Sequence, residues 1–127
     1  FPILLNGSDE QKAKYLPQIA SGEKLAAFGL TEANAGSDAG GVRTTAVKDG
    51  NDYVINGRKW FSTNGSMTNT RFTILAGVTD ANAAKSRRQS LIIVPLDRPG
   101  VVVERDVAAF DLGDVAFGAT ARGGAAG

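Results

Sequence analysis

The chain has 127 residues, of which 43% are apolar, and a net charge of +1 from 14 basic and 13 acidic side chains. This length and apolar content predict one folded domain and exclude a wholly disordered chain. There is no His and no Cys, which excludes imidazole bases, Ser-His and Cys-His nucleophilic pairs, thiolate zinc sites and disulfides. The balanced charge argues against nucleic acid as the main partner, because phosphate neutralisation needs clustered basic residues.

The apolar residues occur in short runs. The longest run, residues 91–96, is far below the ~20 residues needed to cross a bilayer, so no membrane span is predicted. The sequence begins at Phe1 and has no basic flank before residues 3–5, which does not support a signal peptide. We therefore expect a cytoplasmic, bacterial protein and a start inside a longer polypeptide.

The first residues predict the only helical segment. Ser8, followed three residues later by Gln11, is a capping-box pattern, and the acidic residues between them suit the helix dipole. Pro17 disfavours α geometry at the residue before it. We predict a short helix to about Tyr15 and a second turn ending at residues 21–22.

From residue 25 onward the sequence predicts strands. Branched and aromatic residues occur in short runs separated by Gly, Asn and Pro, and Asp49-Gly50-Asn51 and Asn56-Gly57 are predicted tight turns. The predicted strands are residues 25–30, 42–48, 53–55, 59–63, 72–78, 91–96 and 101–103. Such a succession favours an antiparallel meander forming a small barrel or sandwich, so the fold class is mainly β with a short N-terminal helical segment.

Residues 31–41 are rich in glycine and small polar side chains. Small residues let backbone N–H groups converge on an anion, and Thr31 and Ser37 add hydroxyl donors. The segment is neither a P-loop nor a Gly-x-Gly-x-x-Gly dinucleotide fingerprint. Composition therefore leaves an anion-binding loop and a plain Gly-rich connection open, and it favours the plain connection.

Residues 55–65 contain the second candidate. If residues 59–63 form a strand, Phe61 and Thr63 share one face, and Trp60 and Ser62 share the other. An aromatic plane beside a hydroxyl suits a flat heteroaromatic ligand. The alternative, favoured from these residues alone, is that one ring fills the core and the other covers the surface.

The remaining charged residues give weaker indications. Lys85, Arg87 and Arg88 lie in the polar connection 80–90 and could contact a ligand phosphate. A solvated hairpin tip is the more usual outcome for such a run. No carboxylate is distinguished by its sequence neighbours as a perturbed acid or base.

Together the two segments resemble the signatures of a known family. Residues 27–38, AFGLTEANAGSD, resemble the first signature of the acyl-CoA dehydrogenase family. Residues 55–59, INGRK, with TNG at 63–65, are similar to its second signature. The resemblance covers about residues 6–106 in the correct order and spacing. It implies an α–β–α enzyme in which residues 1–24 end the N-terminal helical domain and residues 25–107 form the middle β-domain.

Residues 108–127 depart from the family pattern. They contain seven Ala and five Gly, with little alternation or turn chemistry. A segment of this composition buries little apolar surface. We predict a divergent Ala/Gly-rich tail that is poorly ordered.

The resemblance implies that the middle domain binds FAD and holds an acyl-CoA thioester against the flavin. The residues implied to contact FAD are Phe28, Leu30, Thr31, Gly36, Ser37, Phe61, Ser62 and Thr63. Gly36 and Ser37 would approach the cofactor phosphates, and Ser37 would also contact the CoA substrate. The family usually has Trp-Ile-Thr where this chain has Phe61-Ser62-Thr63, so Phe61 is expected to stack on the flavin while Trp60 points away.

The resemblance also implies a reaction and partners. In the family a carboxylate removes the α-proton of the acyl-CoA while a hydride leaves the β-carbon for the flavin. That carboxylate belongs to the C-terminal helical domain, so no catalytic residue is assigned, and the isolated chain is expected to be inactive and to bind FAD weakly. The implied partners are an acyl-CoA, an electron-transferring flavoprotein and further copies of the complete enzyme. The alternatives are a flavin oxidase or monooxygenase of the same fold, and a non-catalytic β-barrel interaction module.

Overall fold

The computed structural model describes residues 1–106 and 115–116, and within them it is mostly sheet with few helices. The helices are α1 (Pro2–Asn6) and α2 (Asp9–Ala20). The strands are β1 (Leu25–Gly29), β2 (Thr45–Asp49), β3 (Asp52–Asn56), β4 (Thr70–Val78), β5 (Gln89–Pro95), β6 (Arg105–Asp106) and β7 (Val115–Ala116). The predicted mainly β class with an N-terminal helical segment is confirmed.

Helix α2 begins at the predicted capping box. The Gln11 amide donates to Ser8 Oγ at 3.2 Å, and the Ser8 amide donates to Gln11 Oε1 at 3.0 Å. The predicted break before Pro17 is wrong, because the helix continues to Ala20. Apolar side chains on both sides of Pro17 pack on the same face of the sheet, and this shared burial outweighs the backbone hydrogen bond that proline removes.

Strand β4 is the centre of a five-stranded mixed sheet. Strand β5 pairs with one edge of β4 in antiparallel register, from Phe72↔Pro95 to Val78↔Gln89. Strand β1 runs parallel along the other edge, and β2 joins that edge at Thr45↔Val78, also parallel. Strand β3 then pairs with β2. The sheet is therefore neither purely antiparallel nor closed among the described residues, unlike the predicted barrel, because the chain returns after residue 44 to the β4 edge that β1 has left.

The predicted turns and strands have mixed outcomes. Gly50, at a φ of 61°, closes the β2–β3 hairpin as predicted. The predicted turn at Asn56-Gly57 and the strands at 59–63 and 101–103 are not observed. Around residue 60 the backbone bonds to the loop after β1 instead of to a strand, and Phe61 has a φ of 53°, which no strand residue adopts.

The two faces of β4 carry different layers of the core. Phe72 and Ile74 face the helices and pack with Ile3. Leu75 points to the opposite face, as strand alternation requires, and packs with Val94 and with residues of β2 and β3. This second face is the one beside which residues 57–62 pass.

The membrane-span and tail predictions concern the helices and the C-terminal residues. No helix within the described part of the chain is long and apolar enough to cross a membrane. The predicted tail, residues 108–127, lies outside the described residues except for β7, which pairs with β6 in antiparallel register.

Candidate functional site

The structure joins the two candidate segments through their backbones. The Trp60 amide donates to the Thr31 carbonyl at 2.8 Å, and Lys59 Nζ donates to the Leu30 carbonyl at 3.0 Å. These contacts form because β1 ends at Gly29, and the chain that follows the end of β3 at Asn56 passes beside that point, with Lys59 next to Gly29. Leu30 and Thr31 are thereby placed next to residues 59–63.

A buried ion pair, Lys59 with Glu32, lies at this junction. Lys59 Nζ and Glu32 Oε1 are 2.8 Å apart, and the two side chains are only 2% and 10% exposed. Glu32 Oε1 also accepts from the amide of Thr44 at 2.9 Å and from its hydroxyl at 2.5 Å, while Oε2 accepts from the Arg43 amide at 2.7 Å. Glu32 was not distinguished by its sequence neighbours, and it is distinguished here by partners that lie 11 to 27 positions away in the chain.

The surroundings lower the pKa of both Glu32 and Lys59. Burial by itself raises the pKa of Glu32, but hydrogen bonds from Lys59, Thr44 and the amides of Arg43 and Thr44 outweigh it and lower the pKa to about 2. Burial lowers the pKa of Lys59, and the hydrogen bond and attraction to Glu32 oppose this shift. Glu32 is thus a carboxylate held permanently ionised at neutral pH.

Two glycines allow this junction to close. A Cβ on Gly57 would lie 2.1 Å from Thr44 Oγ1, the hydroxyl that binds Glu32. A Cβ on Gly29 would lie 3.3 Å from both Lys59 Cγ and Thr73 Oγ1. Gly57 is therefore required by close approach to Thr44 and not by a tight turn, and the Lys59 side chain packs against the backbone of Gly29.

The first segment turns sharply after the ion pair. The amide and carbonyl of Glu32 bond to those of Ala35, with both distances 3.0 Å, and Ala35 is buried. Gly36 and Ser37 follow in exposed positions, and a Cβ on Gly36 would have none of the described residues within 4 Å. The buried carboxylate and the exposed small residues therefore lie at the start of, and just after, one hydrogen-bonded turn.

Phe61 combines exposure with an unusual backbone conformation. Its φ is 53° and 57% of its surface is exposed, whereas Lys59 and Ser62 on either side are each 1% exposed. A bulky residue at positive φ is a genuine outlier, and such strain concentrates at ligand-binding sites. Trp60 is half-buried, with its ring 5.5 Å from that of Phe61 and 5.0 Å from the Arg105 guanidinium carbon. Trp60 thus packs against the protein while Phe61 faces outward.

The other site residues predicted from the sequence lie in different surroundings. Thr63 is exposed, and Ser62 Oγ is buried with no hydrogen-bond partner in the described part of the chain. Phe28 is 43% exposed and lies on the face of β1 opposite Gly29, so its side chain is not on the Lys59 side of the strand. The structure thus joins Leu30 and Thr31 to the second segment but does not bring the Phe28 side chain to that junction.

The basic connection after β4 is anchored at its ends. Arg88 Nε donates to the Ala83 carbonyl at 2.8 Å, and Gln89 Nε2 donates to the Ala39 carbonyl at 2.9 Å. Lys85 and Arg87 are exposed. A cavity of about 550 Å³ lies elsewhere, between the N-terminal helices and β5, and takes no lining residue from 27–38 or 57–65.

Chemically, the junction offers an outward aromatic plane with hydroxyl groups on the same two segments. Phe61 can stack on a flat ring, and Thr31, Ser37 and Thr63 can exchange hydrogen bonds with polar atoms of a ligand. The residues that sequence reasoning missed are Glu32 and Lys59. Lys59 and Glu32 lie 27 positions apart, so no local sequence pattern links them. The one local feature at Lys59 is that two aromatic residues follow it.

Most of the chain is similar to members of one known protein family. Residues 27–119 match the acyl-CoA dehydrogenase middle domain. The probable acyl-CoA dehydrogenase YngJ of Bacillus subtilis is 46% identical over 102 residues, which are 80% of this chain and 26% of that protein. The cyclohexane-1-carbonyl-CoA dehydrogenase of Geobacter metallireducens is 46% identical over 103 residues, 81% of this chain and 26% of that protein.

Solved structures agree with these relatives. An acyl-CoA dehydrogenase from Geobacillus kaustophilus superposes with a TM-score of 0.86 at 37% identity, over 96% of this chain and 32% of that one. The chain spans about a quarter of the length of the curated relatives it matches. With the middle-domain match covering most of the sequence, the chain belongs to the acyl-CoA dehydrogenase family.

Proposed function

We propose that this chain supplies the FAD- and acyl-CoA-binding middle domain of an enzyme that dehydrogenates the α–β bond of an acyl-CoA thioester. The observation that carries the proposal is Phe61, an exposed aromatic ring at a φ of 53° beside the segment that ends β1. Family membership supports the same conclusion, because one matched relative is named a probable acyl-CoA dehydrogenase and another a cyclohexane-1-carbonyl-CoA dehydrogenase. Residues 1–24 would end the N-terminal helical domain and residues 25–107 would form the middle domain.

The proposed FAD-binding set spans both segments. It comprises Phe28, Leu30, Thr31, Gly36, Ser37, Phe61, Ser62 and Thr63, and Phe28 would contribute through its backbone because its side chain lies on the opposite face of β1. Phe61 would stack on the flavin ring, and the Thr63 hydroxyl would hydrogen-bond to the edge of the ring. Ser62 would contribute through its backbone, because its hydroxyl is buried. Exposed Gly36 and Ser37 would approach the cofactor phosphates, and Ser37 would also contact the CoA substrate.

The chemistry divides between cofactor and protein. Bound FAD would supply the acceptor for the hydride that leaves the β-carbon. The residues of this chain would hold the ring plane and orient the thioester, and they take no part in proton removal. Glu32 is unsuited to act as the base, because its carboxylate is buried, fully hydrogen-bonded and has a pKa of about 2.

The proposed partners follow from the family. They are an acyl-CoA, an electron-transferring flavoprotein and further copies of the complete enzyme. The similar solved structures include the ChsE4-ChsE5 complex from Mycobacterium tuberculosis and an electron-transferring flavoprotein of Acidaminococcus fermentans. We propose a cytoplasmic location on the same basis.

A hybrid enzyme tests the proposal. This chain would replace the matching segment of YngJ, the relative of 46% identity, and the purified hybrid would be assayed for bound FAD. We expect FAD at one per chain, and loss of its visible absorption when an acyl-CoA is added without oxygen. Reduced FAD that reacts rapidly with oxygen and releases hydrogen peroxide would indicate the oxidase or monooxygenase alternative. A folded hybrid without FAD would indicate the interaction module and overturn the proposal.

A further inference from the structure

The Lys59–Glu32 pair lies between the two segments proposed to bind FAD. Lys59 belongs to the second segment, and its ammonium bonds to the Leu30 carbonyl and to Glu32 in the first. The Trp60 amide adds a third bond, to the Thr31 carbonyl. Three hydrogen bonds from two adjacent residues therefore set the spacing between the segments.

Hydrogen bonds through Thr44 connect the ion pair to the central strand β4. The amide and hydroxyl of Thr44 hold Glu32 Oε1, and the Thr44 carbonyl accepts from the Val78 amide of β4 at 2.7 Å. The carbon chain of Lys59 lies against Gly29, the last residue of β1. Both ends of the ion pair are thus fixed to the sheet.

The buried residues Lys59 and Ser62 hold the backbone around Phe61 so that its ring faces outward. Lys59 and Ser62 are each 1% exposed and flank the short stretch that carries Phe61. A bulky residue keeps a φ of 53° only where its surroundings impose it. The buried lysine is one of the two points that impose the conformation.

Stability alone does not account for charged side chains at this place. Burying two charges costs desolvation energy that their attraction only partly returns, and apolar residues of similar volume often serve stability equally well. A buried pair with directional bonds on every side instead restricts the position of its neighbours.

We propose that Lys59, through Glu32, is a positioning residue that fixes the spacing of the two FAD-contacting segments and the angle of the Phe61 ring. This inference rests on the proposed function, because the angle of the Phe61 ring affects binding only if the ring stacks on a flavin. Lys59 itself touches neither the cofactor nor the substrate in this account. It acts through Phe61 and Thr31.

The test uses the YngJ hybrid and variants that separate positioning from stability. Lys59→Met/Glu32→Gln removes both charges with side chains of similar size, so that no buried charge is left unpaired. Leu75→Ala opens the core on the same face of the sheet without touching either segment. Arg58→Met breaks the neighbouring exposed ion pair with Glu104. For each hybrid, the FAD dissociation constant, the visible circular dichroism of bound FAD and the melting temperature of the apoprotein are measured.

The positioning role predicts a specific pattern. The double variant should weaken FAD binding about tenfold or more and change the flavin circular dichroism, at a loss of melting temperature no larger than that of Leu75→Ala. Leu75→Ala and Arg58→Met should leave FAD affinity within about twofold of the parent hybrid. The inference is overturned if the double variant binds FAD as the parent does, or if Leu75→Ala weakens binding equally. A parent hybrid that folds without FAD overturns the proposed function and this inference with it.

Discussion

Two ion pairs whose basic residues are neighbours in the sequence have opposite surroundings. Lys59 and Glu32 have side chains 2% and 10% exposed, and every oxygen of the carboxylate has a donor. Arg58 and Glu104 have side chains 61% and 35% exposed and pair with each other at the surface. Solvent competes for the second pair and not for the first, so only the first can fix the position of its neighbours.

Breaking one partner of each pair should give the largest contrast. Lys59→Met leaves the Glu32 carboxylate buried without its counter-ion, and we expect unfolding free energy to fall by about 3–5 kcal/mol. Arg58→Met should cost about 1 kcal/mol or less, since its partner remains solvated. Urea unfolding of the 127-residue chain measures both. Equal losses would show that burial does not distinguish the pairs.

Acid should reveal the same contrast without changing the lysine. The pKa of Glu32 is lowered from 4.5 to about 2 by folding, so its contribution is fully present above the unfolded pKa and is lost as pH falls from about 4.5 toward 2. The contribution is on the order of 3 kcal/mol. Unfolding free energy measured against pH should lose this acid dependence in Glu32→Gln. The exposed control Glu104→Gln should retain it, and an unchanged profile in Glu32→Gln would contradict the assignment.

A substitution at Gly57 tests the close approach between Gly57 and Thr44, the residue that hydrogen-bonds to Glu32. A methyl group in Gly57→Ala would overlap Thr44, whose hydroxyl and amide hold Glu32. We expect a loss of about 1–3 kcal/mol, typical of an overpacked interior. Gly36→Ala is the matched control, because no residue in the described part of the chain lies within 4 Å of its Cβ position, and its change should stay within about 0.5 kcal/mol. Similar small losses for both variants would mean that the Gly57–Thr44 approach is not required.

The strain at Phe61 should produce the smallest effect. Phe61→Gly and Phe61→Ala both remove the ring, but only glycine adopts a φ of 53° without cost. The glycine variant should therefore be more stable than the alanine variant by about 1 kcal/mol. At Thr63, which is not among the residues with positive φ, the order of the two variants should reverse. Chemical unfolding of the four variants decides this, and a more stable Phe61→Ala would remove the argument for imposed strain.

The sequence predicted what local signals encode. The capping box at Ser8 and the hairpin at Gly50 depend on neighbours in the chain, and both are present. The signatures at 27–38 and 55–65 indicated two segments, and the structure places these segments side by side. The parallel pairing of β1 and β2 with β4 was missed, because it depends on contacts between distant residues that alternation does not encode.

The buried pair was missed for a related reason. Residues 59–63 have the alternation of a strand, but Lys59 turns into the protein to meet a carboxylate 27 positions earlier. Strand alternation predicted Phe61 and Thr63 on one face and Trp60 on the other, but residues 59–63 do not form a strand. The structure places Phe61 outward through a positive φ between two buried anchors, Lys59 and Ser62.

In the proposed site the junction presents Phe61, and not Trp60, to a bound flavin. Equilibrium titration of FAD into the YngJ hybrid carrying Phe61→Ala or Trp60→Ala separates the two rings. Phe61→Ala should weaken FAD binding by about 1–3 kcal/mol, whereas Trp60→Ala should lower thermal stability and leave FAD affinity close to that of the parent. Loss of FAD from Trp60→Ala, with normal retention by Phe61→Ala, would show that Trp60 is the stacking ring.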